Sequence, residues 1–95
     1  MIKSFANEAA LAAWQRRYVK GYPDDVIRIA YRKLVQLHNA RCLKDLQAPS
    51  GNRLEKLKGD RAGQHSIRIN RQWRICFVWR DGDAYDVEIV DYHGG

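Results

Sequence analysis

The sequence has few of the residues that build cross-linked or metal-bound domains. Among its 95 residues there are only two cysteines, Cys42 and Cys76. Neither belongs to a CxxC or Cys/His pattern with metal-ligand spacing, so we expect reduced thiols and no structural zinc site. No phosphate-binding P-loop, serine elbow or paired-carboxylate pattern is present either, and no motif implies a cofactor.

Long apolar runs are also missing. No stretch approaches the ~18 consecutive apolar residues of a membrane-spanning helix. The first five residues contain no long apolar run, so we expect no secretory signal and a cytoplasmic location. Internal repeats and low-complexity tracts are absent as well. A chain of this length buries one core, which predicts a single domain over residues 1–95.

Basic residues are missing from one end of the chain. Residues 81–95 contain five acidic side chains and no Lys or Arg, whereas residues 41–80 contain ten basic and three acidic side chains. The net charge of the whole chain is +6, and eleven of its seventeen cations are arginines, whose planar fork suits phosphate. This balance predicts an anionic partner, such as nucleic acid, an anionic membrane or an acidic protein.

The spacing of apolar residues in the first half predicts a strand and two helices. Residues 1–5 alternate as a short strand, and Asn7 is a suitable N-cap for the first helix. Gly21 ends that helix and Pro23 begins the second, so the short link makes the two helices antiparallel. The predicted apolar stripes are Leu11, Trp14 and Tyr18 in the first helix and Ile27, Ala30, Leu34 and Leu37 in the second.

From residue 54 the apolar period changes to two. Alternating segments cover residues 54–57, 65–69, 73–80 and 85–90, and Asp81-Gly82 is a hairpin signal. Short links make consecutive strands antiparallel. The sequence therefore predicts an α+β domain: an N-terminal strand, two antiparallel helices, and a C-terminal antiparallel sheet of about four strands with the helices on one face. The spacing of four aromatic residues predicts that they pack helices onto sheet, although such rings could also stack on bases: Trp14, Trp73, Phe77 and Trp79.

Three groups of residues could carry chemistry. Arg74 alternates with bulky apolar neighbours in its strand. It is either a solvated cation or a phosphate ligand on a concave face, and the two-residue period of the strand does not distinguish these two possibilities. Lys58 and its basic neighbours form a glycine-containing turn that either binds phosphate or is an ordinary hairpin. The third group is Asp91-Tyr92-His93, where His93 could transfer protons near neutral pH or simply be exposed.

Four segments resemble the HigB branch of the RelE/ParE toxin superfamily. They are MIKSF at 1–5, LKGDRAG at 57–63, WRICF at 73–77 and DYH at 91–93, in the family's order over nearly the whole chain. The resemblance implies a RelE-like fold and the toxin of a type II toxin–antitoxin module that cuts mRNA in the ribosomal A site. It also implies a HigA-like helix-turn-helix antitoxin and contact with operator DNA only through the toxin–antitoxin complex.

By motif position, the resemblance assigns roles to individual residues. His93 would transfer protons beside Asp91 and Tyr92, while Lys58 and Arg74 would neutralise phosphate during metal-free attack of a ribose 2′-OH. Glu55 stands where some members have a second catalytic histidine, which makes it a candidate base and leaves the division of acid and base roles open. The expected RNA-binding residues are Lys56, Arg61, Arg68 and Arg71.

Two other functions remain open from the sequence. ParE-like relatives share the fold but inhibit DNA gyrase and do not cut RNA, so they would not depend on His93. A non-catalytic RNA-binding module would bind RNA with a steep salt dependence and leave it intact.

Overall fold

An antiparallel sheet of four strands carries two helices on one of its faces. The computed structural model describes residues 1–92. Helices α1 (Glu8–Trp14) and α2 (Asp24–Asn39) precede strands β1 (Glu55–Lys56), β2 (Gln64–Arg68), β3 (Trp73–Arg80) and β4 (Asp83–Asp91). The sheet order follows the chain, β1-β2-β3-β4, and every pairing is antiparallel. The predicted α+β architecture is confirmed. Within residues 1–92, no helix is long and apolar enough to cross a membrane.

The N-terminal segment follows β4 without forming the continuous strand that the sequence predicts. It runs parallel to β4 and makes two separate bridges, Ile2 to Ala84 and Phe5 to Val87. Between these bridges Asp86 of β4 has a left-handed backbone (φ +52°), which interrupts the ladder. The N–H of Asp86 instead donates to the Ser4 hydroxyl at 2.8 Å. The segment therefore covers the edge of β4 through local contacts.

Helix α1 is shorter than predicted. It ends at Trp14, because Arg16 adopts a left-handed conformation (φ +60°), and Tyr18 lies outside the helix with 78% of its surface exposed. The predicted stripe that included Tyr18 is therefore wrong. The buried residues of α1 are small ones, Ala9, Ala10, Ala12 and Ala13. Such residues let a helix approach its neighbours closely.

Helix α2 presents the larger apolar surface. Its buried residues are Val26, Ala30, Leu34 and Leu37, so Val26 replaces the predicted Ile27, which is half-buried. Asp24 and Asp25 in the first turn complement the positive end of the helix dipole.

The helix-facing side of the sheet completes the core. Ile67, Ile75 and Ile89 lie side by side across β2, β3 and β4. Phe77 is fully buried beside them, and Trp14, Trp73 and Trp79 pack around the same core, as predicted for the aromatic residues. Because side chains alternate along a strand, the residues between these positions face the opposite side of the sheet. That opposite side contains the candidate site.

Candidate active site

A cavity of about 260 Å³ opens on the side of the sheet that faces away from the helices. Its lining residues are Arg53, Glu55, Arg68, Asn70, Arg71, Arg74 and Tyr92. Four arginines against one carboxylate give the cavity a strongly positive potential, which attracts anions. Two larger clefts, of about 340 and 370 Å³, lie beside Tyr18, and none of the predicted site residues lines them.

Arg74 is the most buried charged residue of this cavity. Only 6% of its surface is exposed. Its Nε donates a 2.7 Å hydrogen bond to the Ser66 hydroxyl, and its Nη2 donates to the carbonyl oxygens of Arg53 at 2.5 Å and Ser66 at 3.4 Å. All three acceptors are neutral, and among residues 1–92 no carboxylate forms an ion pair with Arg74. Within the described part of the chain, the positive charge of Arg74 is therefore held in place and not paired with a carboxylate.

Tyr92 lies against Arg74 at the end of the last strand. The Arg74 guanidinium carbon is 5.8 Å from the centre of the Tyr92 ring. The backbone N–H of Tyr92 donates to the Gln72 carbonyl at 2.6 Å, and the Gln72 side chain donates to the Asp91 carboxylate at 3.0 Å. These bonds fasten the predicted Asp91-Tyr92 pair to the turn before β3. His93 lies outside the described residues.

The turn between β2 and β3 brings two more arginines to the cavity. Asn70 shapes this turn, because its side-chain oxygen accepts hydrogen bonds from the backbone N–H groups of Gln72 at 2.8 Å and Trp73 at 2.9 Å. Arg68 lies before the turn and Arg71 within it, and both line the cavity. The structure therefore brings these two predicted RNA-binding residues together with Arg74.

Glu55 lies on the same side of the sheet. It pairs with Ser66 across β1 and β2, and it lines the cavity with an exposed side chain. A carboxylate among arginines can accept a proton from a hydroxyl that those arginines orient. The candidate base that the resemblance assigns is thus part of the cavity.

The other predicted basic residues do not reach this cavity. Lys56 follows Glu55 in β1 and pairs with His65, so alternation directs it to the opposite side of the sheet. Lys58 is exposed and is not among the lining residues. Arg61 forms an ion pair with Glu88 and donates a 3.0 Å hydrogen bond to Gln64. The hydrogen bond that Arg61 donates to the Glu88 carboxylate raises the pKa of Arg61, so this guanidinium is already compensated.

Sequence reasoning missed three residues that build the cavity: Arg53, Ser66 and Asn70. Ser66 is two residues from Arg68 in β2, and this spacing predicts that both side chains lie on the same side of the sheet. Arg53 has a left-handed backbone (φ +44°) that turns its carbonyl towards Arg74. The residues around Arg53 in the sequence contain no pattern that predicts this contact. The contact depends on packing between distant parts of the chain.

Cys76 lies next to the cavity but does not have the character of a nucleophile. It is fully buried on β3 opposite Ser66. Burial raises the pKa of its thiol, which favours the protonated, unreactive form. Across residues 1–92, no group of three His, Cys, Asp or Glu side chains could hold a metal ion.

The fold is shared with solved toxin structures. Over 98% of both chains, it matches YoeB in the Staphylococcus aureus YoeB–YefM toxin–antitoxin complex with a TM-score of 0.61 at 17% identity. It also matches YafQ from Escherichia coli with a TM-score of 0.58 at 14% identity, over 96% of this chain and 91% of YafQ. At these identities the likeness shows the fold alone: an α+β domain of the kind seen in YoeB and YafQ.

Sequence comparison then defines the family. Residues 4–93 match the model of the RelE-like toxin of type II toxin–antitoxin system HigB. The chain is 37% identical to Endoribonuclease HigB of Proteus vulgaris over 94 residues, covering 98% of this chain and all of that protein. It is 44% identical to Toxin HigB-1 of Vibrio cholerae over 62 residues, which is 65% of each chain. The chain belongs to the HigB family of RelE-like toxins, and the predicted resemblance is confirmed.

Proposed function

We propose that this toxin is a ribosome-dependent endoribonuclease that cuts mRNA in the A site by metal-free attack of a ribose 2′-OH. Endoribonuclease activity is supported by the family and by the name of the relative from Proteus vulgaris. The observation that carries the proposal is Arg74, a buried guanidinium whose charge no carboxylate in residues 1–92 cancels, at the wall of an arginine-lined cavity.

The first step of this reaction needs cations at the scissile phosphate. Attack of the 2′-oxygen on phosphorus builds negative charge on the two non-bridging oxygens. Fixed cations stabilise that charge most when they are partly removed from water and need no rearrangement. Arg74 meets both conditions, and Arg68 and Arg71 line the same cavity. We assign phosphate neutralisation to Arg74 and RNA backbone binding to Arg53, Arg68 and Arg71.

The second requirement is proton transfer at the 2′-oxygen and the leaving 5′-oxygen. Glu55 is the carboxylate in the cavity that can take the 2′-OH proton. His93, which follows Tyr92 in the sequence, would deliver a proton to the 5′-oxygen, and the Tyr92 hydroxyl would help to hold the phosphate. General base and general acid catalysis each contribute roughly 10²–10⁴-fold to such reactions. The products would be a 2′,3′-cyclic or 3′-phosphate and a 5′-hydroxyl.

The partners follow from the same proposal. The antitoxin would be a HigA-like helix-turn-helix protein, and operator DNA would be contacted only through the complex. The toxin would act in the cytoplasm, where its substrate is mRNA on translating ribosomes. Lys58, which lies outside the cavity, is then assigned to contact with rRNA or mRNA at the edge of the site.

A reconstituted translation system tests this function. Purified toxin is added to one mRNA with and without ribosomes, and RNA ends are mapped and their chemistry identified. We expect 5′-hydroxyl ends only with ribosomes, no cleavage by His93→Ala, and normal cleavage by His65→Gln, whose histidine lies on the opposite side of the sheet.

Other outcomes of this experiment, and one further assay, would support a different function. Cleavage of free RNA at the same rate would contradict ribosome dependence. RNA binding without new ends would indicate a non-catalytic module. Inhibition of supercoiling by purified DNA gyrase, unchanged in His93→Ala, would favour a ParE-like inhibitor.

A further inference from the structure

We propose that Ser66 is a positioning residue that fixes the guanidinium of Arg74 for phosphate binding. This inference rests on the proposed function, because it concerns how Arg74 meets the substrate. It arises from one feature of the fold: the side chain that holds the buried cation is a neutral hydroxyl on the neighbouring strand. A carboxylate in that place would orient Arg74 equally well but would cancel the charge needed at the phosphate.

The geometry of the three hydrogen bonds defines the orientation. Nε donates to the Ser66 hydroxyl at 2.7 Å, and Nη2 donates to the carbonyls of Arg53 at 2.5 Å and Ser66 at 3.4 Å. These bonds occupy the edge of the planar guanidinium that carries Nε and Nη2. Among the described residues, no acceptor takes a hydrogen bond from Nη1. The remaining N–H groups are therefore the ones that can bind a phosphate oxygen.

The surroundings make this arrangement rigid. Ser66 is fully buried, and it belongs to β2, which is paired along its length with β3. The Tyr92 ring lies beside the same guanidinium, 5.8 Å from its carbon. The three acceptors of Arg74 form a clamp around its guanidinium. The backbone carbonyls of Arg53 and Ser66 remain in any side-chain variant, so the Ser66 hydroxyl is the part of this clamp that a substitution can remove. Its loss would free Nε and let the guanidinium rotate about its long side chain.

The rate and the binding strength of the enzyme should respond differently to this loss. A misdirected cation still attracts RNA but stabilises the transition state less. For Ser66→Ala we expect the single-turnover rate at saturating toxin to fall roughly ten- to hundredfold. We expect the toxin concentration giving half of that rate to change less than about threefold. Ser66→Thr keeps the hydroxyl and should restore most of the rate.

The experiment uses mRNA on programmed ribosomes and five toxin variants: Ser66→Ala, Ser66→Thr, Cys76→Ala, Arg74→Ala and the double variant Arg74→Ala/Ser66→Ala. Cys76→Ala is the matched control, because Cys76 is equally buried, faces the same side of the sheet and pairs with Ser66. It removes a similar volume without touching the clamp, so it should cut at close to the normal rate. In an Arg74→Ala background, Ser66→Ala should have no further effect. Thermal unfolding verifies that every variant is folded.

A second measurement is independent of cleavage. In ¹⁵N NMR spectra, the Nε–H of Arg74 should exchange slowly with solvent in the wild type and in Ser66→Thr, and should lose this protection in Ser66→Ala. Normal cleavage by Ser66→Ala, an equal loss in Cys76→Ala, or unchanged protection in Ser66→Ala would each overturn the positioning role. Absence of cleavage by the wild type would instead contradict the proposed function, and the NMR comparison would still decide the role of Ser66.

Discussion

Glu55, the candidate base that the family resemblance assigns, lies in the arginine-lined cavity, and this place gives the assignment a chemical meaning. A carboxylate among four arginines opposes RNA binding, because it repels phosphate. Its presence there is explained if it accepts a proton during the reaction. An imidazole can act as base or acid near neutral pH, whereas an ionised carboxylate acts as a base. The proposed role of Glu55 is therefore to deprotonate the 2′-OH.

Glu55→Gln separates this role from a passive one. We expect the cleavage rate at saturating toxin to fall roughly 10²-fold, since general base catalysis contributes about that much. Ribosome binding should stay the same or tighten, because a negative charge has been removed. Asp60→Asn is the control, as Asp60 is exposed and does not line the cavity. Tighter binding with a normal cleavage rate would mean that Glu55 only repels RNA.

How far the sequence predicts the site depends on whether a residue acts through its own strand or through a distant contact. Alternation in β2 and β3 correctly groups Arg68 with Arg74. It cannot tell that Arg74 is buried, because that depends on Arg53, which is 21 positions away in the chain. The prediction that Lys56 belongs to the site fails for the converse reason. Lys56 follows Glu55 in β1, and consecutive residues of a strand point to opposite sides of the sheet.

Among secondary-structure elements, α1 is hydrogen-bonded to the sheet through the side chain of its N-cap, Asn7. The Asn7 side-chain oxygen caps α1 by accepting from the N–H of Ala10 at 3.0 Å. The same side chain donates to the Ile89 carbonyl at 2.9 Å and accepts from the Ile89 N–H at 3.3 Å. The sequence predicted the cap but not the bonds to β4, which link residues 82 positions apart. The cap thus also fixes α1 against the sheet.

Asn7→Ala tests this double role. We expect the free energy of unfolding to fall by about 2 kcal/mol, more than the ~1 kcal/mol typical of a cap alone, because contacts to β4 are lost as well. Asn39→Ala, at the exposed end of α2, should change it little. Urea unfolding measures both variants. A loss no greater than that of Asn39→Ala would show that the Ile89 contacts contribute nothing.

The helix-facing side of the sheet contains a histidine whose environment favours the neutral form. His65 stacks on Phe77 with ring centres 6.1 Å apart, and within residues 1–92 its buried Nδ1 has no hydrogen-bond partner. Burial, and secondly the nearby charge of Lys56, lowers the pKa of His65 below its usual 6.5. Between the lowered folded pKa and 6.5, the unfolded chain binds more protons than the folded one. Stability is therefore lost as the pH falls below about 6.5.

Urea unfolding at about pH 7.5 and about pH 5.5 tests this behaviour. The wild type should lose more stability between the two values than His65→Gln, in which the titrating group is absent. All other groups that titrate in this interval are common to both proteins, so the difference reports His65. An equal loss in the two proteins would contradict a lowered pKa at this position.

At the scale of the whole molecule, the two halves of the charge distribution have different uses. The acidic residues of β4 act largely within the fold: Glu88 pairs with Arg61, and Asp83 pairs with the N-terminal amine at 3.2 Å. Four of the seven arginines in residues 41–80 line the cavity instead: Arg53, Arg68, Arg71 and Arg74. Net charge alone predicts an anionic partner. The fold adds where that partner would bind, on the side of the sheet that the helices leave open.

The order of helices and strands along the chain was more predictable from the sequence than the residues of the cavity. Periods of two and of 3.6 residues, hairpin turns and short links determine the sheet and its two helices. The end of α1 was not predictable from the apolar spacing of Leu11, Trp14 and Tyr18, because the left-handed Arg16 breaks the helix before Tyr18. An early helix end of this kind depends on the backbone angles of a single residue, and the spacing of apolar residues does not predict those angles.

If mRNA is cut at the cavity around Arg74, substitution of this residue must remove the cleavage, and mapping of mRNA 5′ ends in a translating extract measures that effect. Arg80→Ala is the matched control, because Arg80 lies on the same strand but is exposed and outside the cavity. We predict new ends at the same codons with the wild type and Arg80→Ala, and at least a roughly 10²-fold reduction of these ends with folded Arg74→Ala. Equal cleavage by Arg74→Ala, or no new ends with the wild type, would show that mRNA is not cut at this cavity.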